Sequence, residues 1–303
     1  MGTLKVDLNG IVLDNPVMTA SGTFGYAAEY KELVNLDQLG GVVVKGLSLA
    51  PSQGNPAPRI AETPSGLLNA VGLENVGVDR FISDKLPFLE TLKAKVFTNI
   101  YGKTPDEYQR LAEIIDDLDG VAGIEVNISC PNVTAGGAAF GVDPHAAFHL
   151  VEKVRKVTKK HLMVKLSPNV TDIGEIALAV EAAGADSLSL INTITGMAID
   201  TDTFKPMLAN GTGGLSGPCI RPVAVRMVWQ VAARVKIPVV GIGGIMSARD
   251  AVEFILAGAS AVQVGTAVLA DPDVLQRIVK GLDRFMAKKG IRDISHIRGA
   301  VKI

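Results

Sequence analysis

The sequence is poor in cysteine and aromatic residues and carries almost no net charge. Two cysteines among 303 residues exclude a disulfide framework and any four-thiolate metal or iron–sulfur site in this chain. Thirty Lys and Arg residues against 31 Asp and Glu residues leave a net charge of −1, and aromatic residues make up only 5%. Neither a basic field nor a platform of stacking rings is therefore available for nucleic acid.

Long hydrophobic runs are also lacking. A membrane span needs about 18 consecutive apolar residues, which the chain never approaches, and Lys5 and Asp7 interrupt the start where a secretory core would lie. Hydrophobic residues nevertheless make up 48% of the chain, which is enough for a large core. We expect a cytoplasmic protein that does not bind membranes.

Eight short, apolar and β-branched segments predict the strands of a parallel sheet that is buried on both faces. They are residues 16–19, 41–45, 96–100, 123–127, 162–166, 187–191, 238–242 and 261–264. Helical patterns with capping residues follow most of them, for example at Thr104, Asp143 and Ser247. This alternation predicts a (β/α)₈ TIM barrel, with residues 1–303 as a single domain. A doubly wound sheet is the alternative, but no G-x-G-x-x-G follows the first strand.

Further segments surround the predicted barrel. Residues 4–6 and 11–13 flank Asn9-Gly10, a dipeptide typical of type I′ turns, so a hairpin is expected at the bottom of the barrel. The connections 46–95 and 192–237 are too long for plain barrel loops, and both follow carboxyl ends of strands. Since TIM barrels keep their active sites at that face, we expect elaborated functional loops there.

Polar side chains, mainly amides and lysines, lie at the carboxyl ends of the predicted strands. They are Ser21, Lys45, Asn99, Asn127, Lys165, Asn192 and Thr193. A turn former or a solvated charge is the usual interpretation of one such residue, but a barrel brings all of them to one mouth. Amides and lysines with few acids suit an anionic, planar ligand that needs both donors and acceptors.

Glycines follow the last two strands. Gly243-Gly244 and Gly265 allow close approach to backbone N–H groups, and Thr266 adds a hydroxyl. Tight turns need glycine too, yet loops at this place in a barrel commonly bind phosphate. The pattern alone does not distinguish a phosphorylated substrate from flavin mononucleotide (FMN).

Cys130 comes just after the fourth predicted strand, between Asn127 and Asn132. An isolated cysteine is usually a buried small hydrophobe, but this position at the active face favours a base or a nucleophile. We expect Cys219, at a helix start, to be a packing residue.

Two weaker patterns give rival interpretations. His145 and His149 have the i,i+4 spacing of some zinc sites, but no third ligand lies nearby, so no metal site is expected. Lys45 or Lys165 could form a Schiff base, which leaves a flavin-free aldolase open.

Two segments closely resemble the dihydroorotate dehydrogenases of pyrimidine biosynthesis. They are Asn-Ile-Ser-Cys-Pro-Asn at 127–132 and Asn-Ala-Val-Gly-Leu-Glu-Asn at 69–75, and segments 241–245 and 265–267 match this family too. The resemblance implies an FMN-dependent oxidation of dihydroorotate to orotate on the route to UMP. A base removes the C5 proton, and a hydride passes from C6 to flavin N5.

The resemblance also implies roles for individual residues. Cys130 would be the base, as in the soluble members of the family. One FMN per chain would contact Ser21, Lys45, Gly46, Asn99, Asn127, Lys165, Ile191, Gly217, Gly243, Gly244, Gly265 and Thr266. The pyrimidine would contact Lys45, Asn69, Ala70, Val71, Gly72, Leu73, Asn127, Asn132, Asn192 and Thr193.

The segment 133–141 resembles the NAD-linked B type of the family. That type implies a partner subunit with FAD and a two-iron cluster, joined to a homodimer of this chain as a heterotetramer. Electrons would then pass through the partner to NAD. The alternatives are the fumarate-linked A type, another flavin barrel acting on a dihydropyrimidine, and the aldolase.

Overall fold

The structure is a computed structural model that describes residues 2–129 and 140–302. Its strands are β1 (Val6–Leu8), β2 (Ile11–Leu13), β3 (Val17–Thr19), β4 (Gly41–Val43), β5 (Ile60–Thr63), β6 (Gly66–Asn69), β7 (Lys95–Ile100), β8 (Gly123–Asn127), β9 (His161–Lys165), β10 (Ser187–Leu190), β11 (Ile194–Gly196), β12 (Ile199–Asp200), β13 (Lys205–Pro206), β14 (Gly213–Ser216), β15 (Val239–Ile242) and β16 (Ala261–Val264). Its α-helices are α1 (Val78–Arg80), α2 (Leu86–Leu89), α3 (Pro105–Asp116), α4 (Pro144–Arg155), α5 (Ile173–Ala182), α6 (Arg221–Ala232), α7 (Ala248–Leu256), α8 (Thr266–Ala270) and α9 (Val274–Lys289).

Eight parallel strands close into a barrel in the order β3-β4-β7-β8-β9-β10-β15-β16. These are the eight predicted strands, and their ends differ from the prediction by at most two residues. Their side chains are buried on both faces, because one face fills the barrel and the other packs under the helices. The predicted (β/α)₈ barrel is therefore confirmed.

Side-chain caps begin α3, α4 and α7, as their sequences predict. Thr104 accepts a hydrogen bond from the backbone N–H of Glu107, and Asp143 caps α4 in the same way. The helical pattern after Asp143 runs on to residue 160 in the sequence, whereas α4 ends at Arg155; beyond this end, the Asp116 carboxylate accepts from the backbone N–H groups of residues 159 and 160. Among the described residues, no helix has the length and apolarity of a membrane span.

The amino-terminal hairpin lies at the bottom of the barrel, which confirms its prediction. β1 and β2 pair antiparallel around Asn9 (φ +55°) and Gly10 (φ +99°), the left-handed pair that a type I′ turn requires. The amide of Asn9 donates to the carbonyl of Asp186, just before β10 begins.

The two long connections form one antiparallel sheet over the mouth, in the order β11-β14-β6-β5. Gly214 pairs with Asn69 across the two connections, and a Cβ added to Gly213 would lie 2.6 Å from the carbonyl oxygen of Asn69. Glycine is therefore required where the strands approach. Leu68 and Leu208 lie in a small separate core at this sheet.

Candidate active site

A cavity of about 540 Å³ opens at the carboxyl ends of the barrel strands, beside the four-stranded sheet. Ligand sites usually measure about 300–1,000 Å³. All predicted ligand residues that the structure describes line it: Ser21, Lys45, Gly46, Asn69, Ala70, Val71, Gly72, Leu73, Asn99, Asn127, Lys165, Ile191, Asn192, Thr193, Gly217, Gly243, Gly244, Gly265 and Thr266. Cys130 and Asn132 lie outside the described residues. Which ligand each residue contacts stays a prediction.

Lys165 brings a buried positive charge to this cavity. It is the last residue of β9 and is only 5% exposed, and its Nζ donates to the hydroxyl of Ser21 at 3.2 Å. No carboxylate of the described residues lies within ion-pair distance of it. A buried ammonium is costly unless a negative group compensates it, so this side of the cavity favours an anionic ligand.

A hydroxyl that was not predicted orders the amides near the end of β8. Ser129 donates to Oδ1 of Asn127 through its backbone N–H at 3.2 Å and its hydroxyl at 2.8 Å. Asn192 in turn donates to the Ser129 hydroxyl at 2.6 Å. Because Oδ1 of Asn127 is occupied, its Nδ2 is the atom left to donate to a ligand.

Residues 71–73 line the cavity and carry three consecutive backbone N–H groups. No acceptor among the described residues binds these groups, and Gly72 and Leu73 both have positive φ, at +76° and +59°. The carbonyl of Leu73 accepts from Asn75 Nδ2 at 2.9 Å and from the Tyr101 hydroxyl at 3.1 Å. Successive unpaired N–H groups of this kind form an anion-binding nest.

The glycine loops after β15 and β16 form a second group of free donors. Gly243 and Gly244 have φ of +128° and +71°, and no described acceptor binds their N–H groups or those of Gly265 and Thr266. The Thr266 hydroxyl lies 2.8 Å from the Ser216 hydroxyl. These donors are suited to phosphate oxygens, as the sequence predicts.

One prediction about the cysteines is wrong. Cys219 is exposed and does not pack in the core, because the 3-10 turn Pro218–Ile220 directs it outward, with its Sγ 3.6 Å from the Ser216 carbonyl oxygen. His145 and His149 lie exposed on α4. In the described part of the chain, no group of three or more His, Cys, Asp or Glu residues is placed to hold a metal.

Comparison with known proteins gives consistent matches. The family model described as "Dihydroorotate dehydrogenase" matches residues 3–286. A protein of Geotalea daltonii named "Dihydroorotate dehydrogenase B (NAD(+)), catalytic subunit" is 59% identical over 99% of this chain and 98% of its own length. A protein of Geobacter sulfurreducens with the same name is 57% identical over the same shares.

Proposed function

This chain belongs to the dihydroorotate dehydrogenase family, and we propose that it binds FMN in the cavity and uses Cys130 as its catalytic base. It oxidises dihydroorotate to orotate in pyrimidine biosynthesis, as the catalytic subunit of the NAD-linked type. The observation that carries the proposal is the N–H nest at residues 71–73, which lines the same cavity as the buried ammonium of Lys165.

The residues at the cavity fit one FMN per chain. The free N–H groups of Gly243, Gly244 and Gly265 are the donors that its phosphate needs, and the Thr266 hydroxyl, which donates to Ser216 in the ligand-free cavity, joins them when it turns to the phosphate. The remaining cavity has lysine and amide groups for the polar edge of the ring. When bound, FMN supplies a hydride acceptor at N5 for C6 of dihydroorotate.

Lys165 and Lys45 would hold positive charge beside the flavin ring, where negative charge develops as it accepts a hydride. Lys165 is already desolvated in the free protein and held by Ser21, so little reorganisation is needed when negative charge develops. Stabilising the charge at this point favours the reduced state and accelerates the transfer.

The nest at residues 71–73 binds the carboxylate of dihydroorotate through backbone N–H groups. Asn127 then donates through its remaining Nδ2 to a C=O group of the ring, and Oδ1 of Asn69, whose Nδ2 is bonded to the Gly214 carbonyl, accepts a ring N–H group beside Asn192. The Leu73 carbonyl is held by Asn75 and Tyr101, which keeps the nest in shape.

Cys130 is the group that removes the C5 proton in this proposal. It follows Ser129, whose hydroxyl is fixed by Asn127 and Asn192 near the cavity floor. A thiol has an ordinary pKa of about 8.5, so its thiolate is available as a base around neutral to alkaline pH.

Electrons leave through a partner in this proposal. The relatives are named catalytic subunits, which implies a further subunit of the same enzyme. We infer that this partner carries FAD and a two-iron cluster, and that two copies of this chain join two partners in a heterotetramer. Two cysteines are too few for a cluster on this chain.

The experiment mixes FMN-loaded protein with dihydroorotate in the absence of oxygen. We expect the visible flavin absorbance to be bleached by dihydroorotate but not by dihydrouracil, which lacks the carboxylate. NAD with the partner subunit, and not fumarate, should then restore the absorbance. Protein that stays colourless after FMN addition, or equal bleaching by both compounds, would contradict the proposal.

A further inference from the structure

A fully buried carboxylate lies inside the barrel below the cavity. Glu125 on β8 is 0% exposed. It precedes Asn127 by two residues, so both side chains point to the same face, about 7 Å apart along the strand. The reaction as described makes no use of this negative charge.

Three donors from other strands converge on Glu125. Asn99 Nδ2 donates to Oε2 at 2.6 Å, and Ser189 Oγ and Gln263 Nε2 donate to Oε1 at 2.8 and 2.7 Å. An amide nitrogen only donates, so both carboxyl oxygens act as acceptors, as in an ionised carboxylate. Because each oxygen is hydrogen-bonded, the charge can remain buried.

The bond to Glu125 decides which end of the Asn99 amide faces the cavity. If the amide were reversed, Oδ1 would face a carboxylate oxygen, and two acceptors cannot bond. Oδ1 instead lies beside Gly46, where an added Cβ would be 2.9 Å from it. Asn99 and Gly46 both line the cavity, and no donor among the described residues binds this oxygen.

We propose that Glu125 is a positioning residue that holds the Asn99 amide with its oxygen towards the cavity, where that oxygen accepts an imide N–H of the ligand. The inference rests on the proposed function, which brings a flavin and a pyrimidine to the cavity. Each of these two ligands has an imide N–H. Without the carboxylate, the amide can turn over and present a donor as readily as an acceptor. A site built around such a bond discriminates against analogues that lack the N–H.

The first test exchanges the two partners and measures FMN binding to flavin-free protein. Asn99→Asp places a second carboxylate directly opposite that of Glu125, and their repulsion should weaken FMN binding by about a hundredfold. Adding Glu125→Gln provides an amide donor for the new carboxylate and leaves its other oxygen to the cavity, so affinity should return to within about threefold of the wild type. Adding Ser189→Ala instead provides no donor and should rescue nothing. A folded Asn99→Asp/Glu125→Gln protein that binds neither FMN nor, once loaded with FMN, orotate more tightly than folded Asn99→Asp would overturn the proposal.

The second test uses no variant in which two carboxylates face each other, so it applies even where Asn99→Asp does not fold. It compares FMN with N3-methyl-FMN, and orotate with N3-methyl-orotate, which separates the two sources of the imide N–H. For one of these pairs the wild type should prefer the N–H form by about tenfold, and Glu125→Met should reduce that preference to about threefold or less. No preference for either pair, or an unchanged preference in Glu125→Met, would overturn the inference. Failure of FMN to bind the wild type would instead contradict the proposed function.

Discussion

The Nζ of Lys165 lies 3.2 Å from the hydroxyl of Ser21, and 144 residues separate them in the sequence. β9 and the loop after β3 bring them together at the barrel mouth. Because a neutral hydroxyl is the bonded partner of this buried ammonium, the positive charge remains available to a ligand. The barrel thus prepares an anion site before any ligand binds.

Replacing this charge should slow flavin reduction. Lys165→Met keeps the length of the side chain but removes the ammonium, so we expect the rate of flavin reduction by dihydroorotate to fall by about 10²–10³. Anaerobic stopped-flow absorbance measures this rate. The FMN content of the variant is the control, because a variant without flavin would show no reduction whatever the role of the charge. An unchanged rate in the FMN-loaded variant would remove Lys165 from the mechanism.

Tyr101 should affect the substrate and not the flavin. Tyr101→Phe removes one of the two hydrogen bonds to the Leu73 carbonyl, which loosens the nest for the carboxylate. We expect KM for dihydroorotate to rise by about three- to tenfold, with kcat nearly unchanged and FMN affinity retained. Equal KM values for the two proteins would mean that Asn75 alone holds the nest.

Cys130 is tested by removing the thiol. Cys130→Ala should keep FMN bound but slow flavin reduction by about 10²–10⁴, which is the usual contribution of a general base. The wild-type rate should rise with pH as the thiol ionises, and the variant should lose this dependence. Bleaching of the variant at the wild-type rate would refute the role.

The phosphate site is tested with a pair of ligands. Thr266→Val removes a hydroxyl without changing the shape of the side chain, so FMN should bind about tenfold more weakly while riboflavin, which lacks the phosphate, binds as before. Gly243→Val is a poorer test, since its Cβ would lie 2.9 Å from that of Ala224 and strain the fold. Equal weakening of both ligands would place the phosphate elsewhere.

His161 should make the free energy of unfolding depend on pH below about 6.5, the ordinary pKa of a histidine. Burial lowers the pKa of His161, and its Nε2 is 2.7 Å from the Ser187 hydroxyl inside the barrel. The unfolded chain therefore binds a proton more readily than the folded one, and the free energy of unfolding decreases as pH falls below about 6.5. Denaturant titrations give the free energy of unfolding of wild type and His161→Gln. The difference between the two values should shrink as pH falls below about 6.5, because only the wild type loses stability there. A constant difference would show that this proton is not linked to folding.

The barrel and most of its mouth could be predicted because their signals are local. β-branched runs mark the strands, and the residues that cap α3 and α4 are adjacent to the helices that they begin. The polar residues then converge because a parallel barrel places all strand ends at one face. No knowledge of long-range packing was needed for this step.

The remaining features depend on contacts that the sequence does not display. β6 and β14 are four residues long and contain glycine, and their pairing joins Asn69 to Gly214 across 145 residues. Glu125 resembles any other residue of a strand until three distant donors surround it. Cys219 is exposed because of a single turn, which composition and spacing do not reveal.

The most direct measurement is a titration of FMN-loaded protein with orotate, followed by the visible flavin spectrum. If the flavin and the pyrimidine share the one cavity, orotate must perturb the flavin band in a saturable way, with FMN still bound. Orotate that binds without any change in the flavin spectrum, or that displaces FMN into solution, would contradict this account.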